Sequence, residues 1–248
     1  MEPLKISAVS YLNTYPFVYG LLQSGLLHDF QLDLEVPSVC AAKLLSGESD
    51  IALVPVGALP DFKTSEIVSG YCIGAVSKVK TVLLLSQKPL TEISEIFLDT
   101  DSRTSVQLVR VLARKFWKIN PGWVHLDPAD LSQGNDKEAL VAIGDKTFGL
   151  AGKYRYVYDL AEEWIKFTSL PFVFAVWLSR EKLPVQILDS LNNALEYGVL
   201  HINETLEFFR DKLPAGQDCH SYLKENISFT FDDPKKQGMK LFLELLQK

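Results

Sequence analysis

Short apolar runs, polar turns and amphipathic stretches alternate along the first two thirds of the chain. Near the amino terminus, an apolar run is followed by a polar turn with Ser10, Asn13 and Thr14, and then by an apolar helical pattern. This order predicts strand, turn and helix, with Pro16 in the first helical turn, where a backbone N–H has no partner. Such turns lie beyond the carboxyl ends of strands, where α/β proteins bind anions and small ligands. In the simpler alternative, Asn13 only caps the helix.

The same pattern recurs at later apolar runs. The run from residue 49 ends in a loop of small residues at Val56 and Gly57, where backbone can approach a ligand closely. A strand at 95–99 leads into a hydroxyl-rich turn and a long helix, so Thr104 and Ser105 lie at a helix start able to bind a carboxylate. Ordinary capping by Thr104 is the alternative. Another apolar run ends at Gly144-Asp145, where an aspartate in a turn without a ligand role is the commoner case.

Two almost wholly apolar strands, around residues 82–86 and 172–176, bracket the middle of the chain and are predicted to cross between two lobes. Lobe one would comprise residues 1–86 and 175–248, and lobe two residues 87–174. The amphipathic helical patterns after residue 183 carry structural signals and are interpreted as scaffold. The predicted fold class is α/β, a two-lobed periplasmic-binding-protein-like (type II) fold with a ligand cleft between the lobes.

Composition narrows the class of ligand. The 248-residue chain has a net charge of -6, which gives no general attraction for nucleic acid or anionic lipid, so an anionic ligand would need local donors. The sequence shows neither a secretory signal pattern nor an apolar run near the roughly 20 residues of a membrane span, which predicts a cytoplasmic protein. The three cysteines and four histidines are dispersed, so reduced thiols and no metal site are expected. No phosphate loop or dinucleotide fingerprint is present.

Five segments in order resemble the chorismate dehydratases of the futalosine route to menaquinone, and the similarity runs from residue 6 to about residue 178. They are residues 9–16 (VSYLNTYP), 50–55 (DIALVP), Asp99 with 102–105 (SRTS), 143–145 (IGD) and 168–177 (TSLPFVFAVW). One departure is Ser169, which stands where that family commonly has glycine.

The resemblance implies an enzyme that removes water from chorismate to give 3-[(1-carboxyvinyl)oxy]benzoate, with no cofactor and with chorismate as its small-molecule partner. Asn13, with Ser10 beside it, would lie near the reacting centre. Asn13 would orient the substrate because its amide is not basic. Either a substrate carboxylate or Asp145 would take the proton. The predicted substrate-binding residues are Val56, Gly57, Thr81, Ser86, Thr104, Ser105, Gly144, Asp145 and Phe172.

Two alternatives compete with this interpretation. The related dihydroxynaphthoate synthase of the same pathway shares the fold and places a histidine in the cleft, where this chain has Ile143-Gly144-Asp145. The absence of histidine there favours the dehydratase. A solute-binding protein without chemistry shares the fold as well, and it predicts a secretion signal or a lipidated cysteine near the amino terminus.

Overall fold

The structure is a computed structural model that describes residues 3–99, 101–126 and 138–247. Its strands, in chain order, are β1 (Leu4–Val9), β2 (Phe30–Glu35), β3 (Ile51–Pro55), β4 (Glu66–Ala75), β5 (Val82–Ser86), β6 (Glu95–Asp99), β7 (Gly122–Leu126), β8 (Ala139–Ile143), β9 (Tyr156–Asp159), β10 (Phe172–Ser179) and β11 (Ser228–Thr230). The helices are α1 (Tyr15–Gln23), α2 (Pro37–Ser46), α3 (Arg103–Leu112), α4 (Thr147–Leu150), α5 (Leu160–Thr168), α6 (Val185–Leu200), α7 (Ile202–Phe208), α8 (Cys219–Ser221) and α9 (Asp233–Leu246).

These strands form two separate sheets, each at the centre of one lobe. The first has the order β11-β4-β10-β3-β1-β2, and the second has the order β7-β6-β8-β5-β9. β1 is parallel to both β2 and β3, whereas β10 is antiparallel to its neighbours β3 and β4. In the second sheet, β6 is parallel to β7 and β8, and β5 is antiparallel to β8 and β9. The α/β class and the division into two lobes are as predicted.

The lobe boundaries lie earlier than predicted. The chain passes between the sheets after β4 ends at Ala75 and before β5 begins at Val82, and it returns between α5 and β10. β5 therefore belongs to the second lobe, and β10 lies wholly in the first. All residues of both strands are buried because each is an inner strand of its own sheet, which explains the continuous apolar runs. The predicted boundaries, at 86/87 and 174/175, lie later in the chain because these inner strands were interpreted as crossings between the lobes.

Cys40, Cys72 and Cys219 are buried free thiols, as expected for reduced cysteines. Across residues 3–99, 101–126 and 138–247, no helix combines the length and apolar character needed to cross a membrane.

Candidate active site

A cleft between the two sheets forms a cavity of about 500 Å³, a volume that includes space open to solvent. Its apolar walls come from both lobes and are formed by Val9, Pro37, Leu53, Pro55, Ile73, Val79, Val82, Ile143, Phe174 and Ala175. Its polar side chains are those of Tyr11, Asn13, Thr14, Thr81, Ser102 and Ser105. None of the described residues that line it is an Asp, Glu, Lys, Arg or His, so a bound anion would meet neutral hydrogen-bond donors.

The turn after β1 brings Asn13 to the cavity. A short 3-10 turn spans Leu12–Thr14, and α1 follows with Pro16 in its first turn. Thr14 is the N-cap residue, but its side chain makes no capping bond. Instead, its hydroxyl donates to Asn13 Oδ1 at 3.1 Å. The helix-cap interpretation of Asn13 is therefore wrong, and its side chain is held toward the cleft.

Thr81 forms a hydrogen bond with a residue of the carboxyl-terminal segment, Tyr222. The Thr81 Oγ1 and Tyr222 hydroxyl oxygens are 2.8 Å apart, and both residues are buried. Burial raises the pKa of Tyr222, while its hydrogen bond with Thr81 acts in the opposite direction. Thr81 and Tyr222 thus form a hydrogen-bonded pair at the side of the cavity, where the Thr81 hydroxyl also donates to the Val79 carbonyl at 3.4 Å.

The start of α3 supplies a second group of donors across the cleft. Ser102 is the N-cap residue, and its Oγ accepts from the Ser105 backbone N–H at 3.3 Å and from the Ser105 hydroxyl at 3.1 Å. The remaining first-turn N–H groups have no partner within the helix, and the positive end of the helix dipole lies here. Ser102 was not predicted as a site residue, although a serine in the turn just before a helix is a recognised capping signal.

Thr104 and Gly57 join the lobes instead of lining the cavity. The Thr104 hydroxyl donates to the Phe174 carbonyl at 3.1 Å and accepts from the Gly57 N–H at 2.9 Å. A Cβ on Gly57 would lie 2.9 Å from the Thr104 Cα, so this glycine permits α3 to approach the first lobe. The neighbouring Val56 is also fully buried. The small residues of this loop serve a contact between lobes, and Thr104 is not the cap of α3.

Gly144 lines the cavity, and Asp145 fixes the opening turn from the other lobe. Gly144 has φ +68°, and a Cβ there would lie 3.1 Å from the Tyr11 ring, which packs over it. The two carboxylate oxygens of Asp145 accept from the Leu12 N–H at 3.3 and 3.1 Å. Burial raises the pKa of Asp145, and the bond from Leu12 opposes this shift.

Two further acids lie beside the cleft and influence Tyr11. Lys146 pairs with Asp99 at 2.6 Å and with Asp101 at 3.1 Å, so its positive charge is engaged by these carboxylates. Burial raises the pKa of Tyr11, and the negative charges of Asp101, Asp99 and Asp145 raise it further. Tyr11 therefore remains a neutral phenol at neutral pH.

Three further predicted residues do not line the cavity. Ser10 continues the pairing of β1 with β2 through its N–H, which donates to the Glu35 carbonyl at 2.9 Å. The Ser86 hydroxyl donates to the carbonyls of Lys88 and Glu138, at the end of β5 opposite Thr81. Phe172 packs in the core against Trp164 and Phe242.

The structure thus gathers Asn13, Thr81, Ser105 and Gly144 of the predicted site around one cavity. It adds Tyr11, Ser102 and Phe174 to the lining, and Tyr222 behind it.

Two α/β lobes around a cleft define a protein of the periplasmic-binding-protein-like fold. The solved structures agree: a protein from Archaeoglobus fulgidus has a TM-score of 0.78 at 12% identity, covering 99% of this chain and 97% of its own. A Candida albicans gene product described as having the generic periplasmic binding protein fold has a TM-score of 0.61 at 14% identity, covering 100% and 94%. The periplasmic aliphatic sulphonate binding protein of Escherichia coli has a TM-score of 0.63 at 17% identity, covering 98% and 87%.

The chain belongs to the menaquinone biosynthesis family, whose sequence model matches residues 4–248. It is also similar to a protein named chorismate dehydratase from Thermus thermophilus, with 25% identity over 275 residues. That alignment covers 99% of this chain and 96% of the relative.

Proposed function

We propose that this protein is a chorismate dehydratase, a hydro-lyase that converts chorismate to 3-[(1-carboxyvinyl)oxy]benzoate on the futalosine route to menaquinone. The family membership and the Thermus thermophilus relative support this activity. The observation that carries it is the cavity itself, which combines apolar walls suited to a six-membered ring with neutral donors on two sides. A cytoplasmic location stays a prediction from the sequence.

The substrate is a dianion, and the cleft offers two places for its carboxylates. Ser102 and Ser105, at the amino-terminal end of α3, bind one carboxylate through hydrogen bonds, and the helix dipole adds to the attraction without a positively charged side chain. Asn13 and Thr81 bind the other end of the substrate. Ile73, Val82 and Phe174 enclose the ring and exclude water from it.

The reaction breaks one C–H and one C–O bond. A proton leaves the ring carbon that bears the enolpyruvyl ether, the neighbouring hydroxyl departs, and the new double bond completes the aromatic ring. Proton and hydroxide leave together as water. Aromatisation provides the driving force, so the protein's task is to orient the substrate and exclude solvent.

The proton acceptor in this proposal is a carboxylate of the substrate. Asn13 has no basic group, and Tyr11 is neutral with a raised pKa. No carboxylate, imidazole or amine occurs among the described residues that line the cavity. Asp145, the other candidate, directs its oxygens at the Leu12 N–H.

Turnover of chorismate by the purified protein tests the proposal. We expect wild type to yield an aromatic product, and Asn13→Ala to lower kcat by about a hundredfold, as for other residues that orient charge in a transition state. Folding should change little, since the bond from Thr14 is worth about 1 kcal/mol. Asn203→Ala, an exposed position on α7, is the control. Intact chorismate after incubation with wild type would contradict the proposal, and equal activity in Asn13→Ala would remove Asn13 from the site.

A further inference from the structure

Two acidic residues adjoin the proposed carboxylate site at the start of α3. Asp101 directly precedes Ser102, which lines the cavity. The Asp101 N–H donates to Asp99 Oδ1 at 3.1 Å, and the Asp99 side chain is fully buried. Nearby carboxylates disfavour one another's charge. A site that binds an anion here therefore needs a positive charge to offset these two acids.

Lys146 is the cation that engages both acids. Its Nζ lies 2.6 Å from Asp99 Oδ2 and 3.1 Å from Asp101 Oδ2. In the part of the chain that the structure describes, these are the ion pairs that Asp99 and Asp101 make. Lys146 does not line the cavity, so its effect on a ligand is exerted through the acids that it binds.

We propose that Lys146 is a positioning residue that offsets the charge of Asp99 and Asp101 and so allows the start of α3 to bind a carboxylate of the substrate. This inference rests on the proposed function, because the anion is taken to be chorismate.

The same contacts join two turns that form one wall of the cleft. Asp99, at the end of β6, accepts from the Ile143 N–H at 3.3 Å through Oδ2, the oxygen that Lys146 also contacts. Lys146 lies two residues beyond Gly144, which lines the cavity as Ser102 does. The ion pairs therefore connect the turn that carries Ser102 to the turn that carries Gly144.

The charge of these acids reaches the cavity wall. Tyr11 lines the cavity, and burial is the largest cause of its raised pKa, followed by the negative charges of Asp101, Asp99 and Asp145 in that order. A side chain of the lining is thus within the field of Asp101. Removal of the Lys146 charge would leave this field without its nearest counter-charge.

A thiol at the cavity wall can report this charge without any turnover. The Ser102→Cys variant can be alkylated with iodoacetamide, and only the thiolate reacts, whereas the three native cysteines are buried. In this background, Lys146→Met should lower the alkylation rate at pH 7 about tenfold, because loss of a nearby positive charge raises the pKa of the thiol. Adding Asp101→Asn to Lys146→Met should restore most of the rate.

The matched control is Lys166→Met. Lys166 also pairs with two carboxylates, those of Glu162 at 3.2 Å and Glu163 at 2.8 Å, but it lies on α5, which does not line the cavity. Its replacement should leave the alkylation rate unchanged, and Lys146→Arg, which keeps the charge, should do the same.

Asp101→Asn alone keeps the proposal testable if Lys146→Met does not fold, because the buried pair of Asp99 with Lys146 is then intact. In the Ser102→Cys background it should raise the alkylation rate about threefold, since one negative charge is removed. Unchanged alkylation in Asp101→Asn, or in a folded Lys146→Met variant, would overturn the inference.

Kinetics with chorismate provide a second measurement in the protein with Ser102 intact. Lys146→Met should raise KM about tenfold and change kcat by less than about threefold, because the carboxylate is bound in both the ground state and the transition state. Asp101→Asn should rescue KM in that variant. A wild-type KM in Lys146→Met, or a raised KM that Asp101→Asn does not rescue, would overturn the inference. If wild type fails to convert chorismate, the proposed function fails, while alkylation still decides whether Lys146 offsets the acids.

Discussion

Asp145 is an acidic residue beside a cleft that we propose binds a dianion. Both its oxygens accept from the Leu12 N–H, so the carboxylate holds the turn that carries Asn13. Burial raises the pKa of Asp145 because the charged form is poorly solvated there. At the residue scale, Asp145 therefore holds the turn that carries Asn13, and in the proposed mechanism a substrate carboxylate takes the proton.

Asp145→Asn distinguishes this structural role from that of a base. Asparagine can still accept from the Leu12 N–H through Oδ1 but cannot take a proton at neutral pH. We expect kcat for chorismate to stay within about fivefold of wild type, compared with the 10²- to 10⁴-fold loss on removing a general base. A loss of that larger size, in a variant that remains folded, would make Asp145 the proton acceptor.

The same variant gives a pH-dependent change in stability. An aspartate whose pKa is raised in the folded state contributes stability below its ordinary pKa of 3.8, and this is lost as pH rises through the raised value. Asp145→Asn should therefore have a higher free energy of unfolding than wild type at pH 7, and the difference should vanish below pH 3.8. Urea unfolding at several pH values measures it, and a difference that grows on acidification would contradict the assigned shift.

At the element scale, helix α5 ends in a strained conformation. Ser169, just after Thr168, has φ +61° and donates its N–H to the Ile165 carbonyl at 2.8 Å. This left-handed conformation is one that glycine adopts without a steric penalty. The chorismate dehydratases that the sequence resembles commonly have glycine at this position. The left-handed backbone conformation of residue 169 gives a physical reason for that glycine.

Ser169→Gly should stabilise the protein. The left-handed conformation costs a residue with a Cβ about 1–2 kcal/mol, and the extra freedom of glycine in the unfolded chain offsets part of that gain. We expect a net increase of about 0.5–1 kcal/mol in the free energy of unfolding, measured by urea denaturation. Ser169→Ala keeps the Cβ and is the control, with no gain expected. A Ser169→Gly variant less stable than wild type would contradict this account.

The sequence pattern predicts individual elements better than the way they assemble. Apolar runs locate β3, β5 and β6 within about two residues, because the burial of a single strand is reflected in the pattern of its own residues. The same pattern does not say which sheet a strand joins, so β5 was assigned to the first lobe. The pairing of β10 with β4 shifts register between Val173 and Ala175. Such an irregularity has no sequence signal, and Phe172, not Phe174, was expected in the site.

At the scale of the whole molecule, the cleft depends on contacts between lobes. The Thr104 hydroxyl forms hydrogen bonds with Gly57 and Phe174 at one contact, and the Asp145 carboxylate accepts from the Leu12 N–H at the other. Repeated strand-turn-helix units predicted that polar turns would meet at one cleft, and Asn13, Ser105 and Gly144 do so. Tyr222 could not be found in this way, since its own neighbours indicate only a helix and its hydroxyl partner, Thr81, lies more than a hundred residues away.

The central claim is that this cleft binds the dianion with neutral donors, and a crystal structure with 3-[(1-carboxyvinyl)oxy]benzoate bound tests it most directly. We predict the aromatic ring between Ile73 and Phe174, one carboxylate within hydrogen-bond distance of Ser105 and the first N–H groups of α3, and the other end of the ligand at Asn13 and Thr81. A product bound outside this cavity, or with its carboxylates on lysine or arginine side chains, would contradict the account.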